Sequence, residues 1–167
     1  MAASEQHEAF DALACDLGTP MFVVTAAVGE ERSGCLVGFA AQTSIEPRRF
    51  TVWISDVNHT SDLARRAAML GVHVLRGDDR DLARHFGELT GDERDKFADV
   101  DWSEGPEGVP VLDRCDWFVG RVVDRVRGGA GDHLGHVLEP LVTSARREGA
   151  PVLRYEDVAD LSPGHPA

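Results

Sequence analysis

Two long runs of strand-forming residues, Cys115 to Val126 and His133 to Thr143, are separated by little more than Gly128-Gly129-Ala130-Gly131. A glycine-rich link that short folds a chain back on itself, so the pair reads as one long antiparallel hairpin. Earlier segments of the same kind recur at hairpin spacing. Met21 to Ala26 is β-rich and is bounded by a turn at Gly29-Glu30-Glu31. Gly34 to Ser44 and Phe50 to Ser55 read as the next two strands, around a turn at Ser44-Ile45-Glu46-Pro47. Val72 to Leu75 and Val111-Leu112 are shorter, and Val152 to Tyr155 resembles a final edge strand.

Helical spacing is confined to three places. Phe10, Leu13, Ala14 and Leu17 recur on one face until Gly18 and Pro20 stop the helix. Thr60, Ser61 or Asp62 can cap a helix carrying Leu63, Ala64, Ala67, Ala68 and Leu70. Asp79 or Asp81 opens another, with Leu82, Ala83, Phe86 and Leu89 inward and Gly91 at its end. Residues 92–109 are polar and rich in Gly and Pro, as expected of a surface excursion, and Ser162 to Ala167 reads as a loose tail. Six or seven strands at this spacing predict a mainly β chain, an antiparallel β-barrel with flanking helices. With 167 residues, one domain over 1–167 with short flexible ends is expected.

Composition removes whole classes of function. A net charge of −12 argues against nucleic acid, whose binding needs a cationic face. Cys15, Cys35 and Cys115 are odd in number and scattered, which predicts reduced thiols and a cytoplasmic protein. No apolar run reaches membrane-spanning length, and the start lacks the pattern of an export signal. A metal site is not expected, because the seven histidines show no ligand-like spacing and His133 and His136 face opposite sides of a strand. Neither a G-x-G-x-x-G nor a Walker pattern is present.

Three constellations carry chemistry. Gly34, Gly38, Ala40 and Ala41 leave one strand nearly bare, either to let a flat ring approach the backbone or to bend a barrel corner. Ser55, Asn58, His59 and Thr60 end a strand and begin a helix; they are turn and cap residues or an anion site built on free N–H groups. Asp56 and Asp62 add negative charge there, so Arg65, Arg66 or a remote Arg must offset them before a phosphate can bind. Asp132-His133 stands where the glycine turn meets a strand, as a solvated hairpin end or as a proton donor near neutral pH.

In order and spacing these pieces resemble the flavin reductase-like family. The carriers are Phe22-Val23-Val24-Thr25, Gly34 through Pro47, Ser55…Asn58-His59-Thr60, Leu82 to Phe86, Lys96-Phe97, Trp117…Val122-Val123 and Gly131-Asp132-His133. The resemblance implies an FMN-binding split barrel of antiparallel Greek-key type, a homodimer holding FMN between its subunits. It implies that Gly38, Phe39 and Ala40 flank the flavin ring, that Gln42 and Thr43 meet its polar edge, and that Ser55, Asn58, His59 and Thr60 hold its phosphate. His133, with Asp132, is the implied catalytic residue beside flavin and nicotinamide. The implied activity is hydride transfer from NADH or NADPH to FMN, with reduced flavin passed to a partner monooxygenase. A non-catalytic flavin-binding electron carrier or sensor, or a split barrel using a deazaflavin or haem, is the alternative.

Overall fold

The computed structural model describes residues 3–89, 95–146 and 148–162. The long hairpin is its spine: β8 (Asp116–Arg127) pairs with β9 (His133–Thr143) through the expected glycine turn. Around it, β1 (Phe22–Val28), β2 (Glu31–Val37), β3 (Ala40–Ser44), β4 (Arg49–Ser55) and β5 (Met69–Val74) complete a seven-stranded antiparallel sheet in the order β2-β1-β5-β8-β9-β4-β3. β2 and β3 stand at opposite ends of that order, yet only Gly38 and Phe39 separate them in the chain. The sheet must therefore curl to bring the end of β2 and the start of β3 close together at this link. The stretch read as one strand from Gly34 to Ser44 is thus two strands belonging to opposite edges.

Curling gives the sheet an inside, filled by Val24, Val52, Ile54, Val72 and Leu138. Helix α2 (His59–Arg66) closes it, burying Leu63 and Ala64. Asn58 caps α2, accepting from the Thr60 N–H at 3.0 Å, in place of the expected Thr60, Ser61 or Asp62, and Leu70 belongs to β5. A second apolar layer lies against α3 (Arg80–Glu88), which buries Leu82, Ala83 and Phe86 with Met21, Val23, Leu112 and Leu153. Gly91, residues 92–94 and the tail from 163 lie outside the described residues.

Two expectations need correction. The excursion contains a strand, β6 (Trp102–Glu104), which pairs with β7 (Pro110–Leu112) away from the main sheet. Val152 to Tyr155 is not an edge strand but a clip. Met21 N donates to Leu153 O at 2.9 Å and Leu153 N to Leu75 O at 2.9 Å, and otherwise only isolated bridges form. The N-terminal helix α1 (Ala3–Asp16) forms as expected but buries none of its residues.

The small residues of β2 serve packing. A Cβ on Gly34 would lie 2.9 Å from the Phe86 ring, so this glycine lets α3 seat on the strand. Lys96, buried, donates to Gly34 O and Phe86 O, each at 3.1 Å, and so fastens the excursion to both elements.

Candidate functional site

Antiparallel register brings the expected residues together. Ser55, last in β4, is the direct partner of His133, first in β9. Beyond them, Asp56 N donates to Asp132 O at 2.8 Å and Asn58 N to Ser55 O at 3.0 Å, which joins the β9 entrance to the turn before α2. The link between β2 and β3 reaches the same place: Trp53 N donates to Phe39 O at 2.8 Å, and the Phe39 ring lies 5.1 Å from the His133 imidazole, tilted by 57°. Phe39 is 59% exposed, an apolar ring held out beside a histidine.

His133 Nδ1 is 2.6 Å from Asp132 Oδ1, a contact that selects the Nδ1–H form and leaves Nε2 for a ligand. The same hydrogen bond is the main reason the Asp132 carboxyl is held below the usual carboxylate range. His136, three residues on, is buried on the opposite face, as the odd step requires.

The remaining candidates fall elsewhere. Thr60 is buried, and its hydroxyl pairs with Ser33 Oγ at 2.8 Å, pinning α2 to β2. Its side chain faces the core, while His59 beside it is exposed. Gln42 pairs with Phe50, five residues from Ser55 along β4, or roughly 17 Å at ordinary strand rise. Thr43 Oγ1 is 2.8 Å from Thr51 Oγ1. Ala40 is half-buried against the inner core, and Gly38 has room for a Cβ, meeting Met21 Sδ only at 3.4 Å.

Of the cations expected to answer Asp56, Arg65 and a remote arginine do so, while Arg66 pairs with Glu31 instead. The Asp56 carboxylate accepts from Arg65 at 2.5 Å and from Arg127 at 2.5 and 3.1 Å. Arg127 is 71 positions away, so the need for a remote arginine was legible but its identity was not. A cavity of about 640 Å³ opens beside the C-terminal clip, lined by Arg80, Leu153, Glu156 and Asp160, and none of the expected site residues borders it. The convergent residues lie on an open face instead.

This curled antiparallel sheet sets a strand-to-helix turn against a Gly-Asp-His hairpin end. Residues 14–157 match the flavin reductase like domain, and the chain belongs to that family. It is 33% identical over 113 residues to a diflavin flavoprotein of Nostoc, covering 66% of this chain and 20% of that protein. It is 29% identical over 126 residues to the reductase subunit of a flavin-dependent monooxygenase from Rhodococcus jostii, covering 73% of this chain and 63% of that one. The chain thus spans less than two thirds of either relative. An NADH:FAD oxidoreductase from Streptomyces globisporus has the same fold, with a TM-score of 0.76 at 21% identity over 86% of this chain and 85% of its own. Among the described residues, no helix is long and apolar enough to cross a membrane.

Proposed function

We infer that the protein is an NAD(P)H-dependent flavin reductase that uses FMN and delivers reduced flavin to a separate monooxygenase. The observation carrying this is the convergence of Phe39, Ser55, Asn58, Asp132 and His133 on one open face, in a chain of the flavin reductase-like family. The residues present suit a flavin nucleotide. Phe39 offers an apolar face, the main chain at Gly38 is free of bulk, and two arginines, from α2 and the end of β8, reach Asp56 in the turn beside Asn58.

Gly38, Phe39 and Ala40 would flank the ring, and Ser55, Asn58 and His59 would face its phosphate. Thr60 contributes from behind, holding the helix start through Ser33. Gln42 and Thr43 lie too far along β3 to share this face within one subunit, which favours a homodimeric split barrel whose second copy completes the site. When bound, the flavin supplies a ring that accepts hydride, so the protein's work is binding, orientation and proton placement. Asp132 fixes the His133 imidazole, and His133 Nε2 then accepts a hydrogen bond when neutral and donates one when charged.

Anaerobic addition of NADH or NADPH to the FMN-loaded protein is expected to bleach the yellow flavin band within a turnover. Persistence of the band would instead identify an electron carrier or sensor. His133→Ala is expected to slow single-turnover reduction by about 10²-fold, with FMN affinity changed much less. Unchanged reduction would remove the role given to His133.

A further inference from the structure

Three elements meet at Asp56, in the turn between β4 and α2. Arg65 of α2 donates to its Oδ1 at 2.5 Å, and Arg127, the last residue of β8, grips both oxygens with its two outer nitrogens. Arg127 Nη1 also donates to Gly131 O at 3.2 Å, across its own hairpin turn. Arg65 is steadied by a contact of 3.4 Å from Nε to Ser61 Oγ. The three side chains remain between 32% and 39% exposed, so the clasp faces solvent. It borders Asp132 and His133 directly, through the Asp56 N–H on Asp132 O.

Two guanidiniums converge on one carboxylate, so the clasp itself carries a net positive charge, with the Asp132 carboxylate beside it. The forked approach of Arg127 is the geometry with which arginine holds a carboxylate or a phosphate equally well. An ion pair this exposed is weakly held against competing ions. A phosphate ester carries up to twice the charge of a carboxylate and more acceptor oxygens. The adjacent Asp132 carboxylate is already engaged by His133.

The geometry points to Arg65 and Arg127 as the binding site for a phosphate ester of the flavin or of the nicotinamide nucleotide, with Asp56 as the resident anion that this phosphate displaces. The inference rests on the flavin-nucleotide reading above and adds to it the groups that take the anion. On binding, the ester takes over the contacts of both guanidiniums and the Asp56 side chain turns to solvent. Asp56 therefore weakens phosphorylated ligands and leaves unphosphorylated ones untouched.

FMN and riboflavin, which differ only by the phosphate, are titrated by fluorescence into the native chain, Asp56→Asn and Arg127→Gln. Asp56→Asn is expected to tighten FMN about tenfold relative to riboflavin, and Arg127→Gln to weaken it about tenfold. Unchanged riboflavin affinity shows that each variant has folded. The same variants are then assayed with NADH against reduced nicotinamide riboside. A change confined to this second ratio supports the site and assigns it to the dinucleotide. If neither ratio moves in either variant, the clasp is only a structural tie and the inference is overturned, while the flavin reading stands. Failure of the native chain to bind either flavin removes both.

Discussion

His136 and His73 carry imidazoles into the protein interior, each fully buried. His73 Nδ1 lies 2.9 Å from Val23 O, but neither ring nitrogen of His136 has a partner among the described residues. A buried imidazole always has one N–H to satisfy, so His136 costs stability where an apolar side chain would not. His136→Leu is expected to raise the unfolding free energy at pH 7 by about 1–2 kcal/mol, read by urea denaturation. Burial is the first cause that lowers both histidines from 6.5 to about 4; Arg125 and then Arg65 add to it at His136. On acidification the unfolded chain therefore takes up protons before the folded one. Stability is whole above pH 6.5 and falls by about 1.4 kcal/mol per pH unit for each histidine down to pH 4. His136→Leu should halve that histidine contribution to the slope; an unchanged slope between pH 6.5 and 4 would show that His136 is not the titrating group.

Between elements, glycine sets how closely chains approach. A Cβ on Gly71 of β5 would lie 2.4 Å from Thr25 Oγ1, and that hydroxyl donates to Pro110 O at 2.7 Å, tying the main sheet to β7. Gly71→Ala is expected to cost about 1–3 kcal/mol, because the methyl group must push aside a hydroxyl already committed to a buried acceptor. Thermal unfolding of the variant, unchanged from the native chain, would show that β5 and β1 have slack. Gly135 plays the same part on β9, where a Cβ would sit 2.7 Å from Trp53 Nε1. Periodicity located the strands well, since a strand's alternation is visible in its own residues. It did not separate β2 from β3, because the pause at Gly38-Phe39 reflects the chain's passage from one end of the sheet to the other rather than a local turn signal.

For the whole molecule, the exposed apolar surface matters most. Phe10, Leu13 and Leu17 of the N-terminal helix region are between 60% and 72% exposed, and Phe39 at the open face is 59% exposed. Side chains of this size grouped on a surface mark a contact with another molecule. Sedimentation equilibrium is expected to give twice the chain mass of 18.1 kDa. A single-chain mass at every concentration would remove the shared site, leaving Gln42 and Thr43 without a route to the flavin.

The sequence by itself determined the long hairpin, the strand-to-helix turn, the Gly-Asp-His end and the family they resemble. Each is written in residues close together, where backbone preference and side-chain alternation act. Only the tertiary structure decided that Gly34 makes room for Phe86, that Thr60 turns inward to Ser33, and that Asp56 is held by an arginine 71 positions away. Those outcomes depend on register and on the curl of the sheet, which sum over distant residues and leave no mark in any one segment.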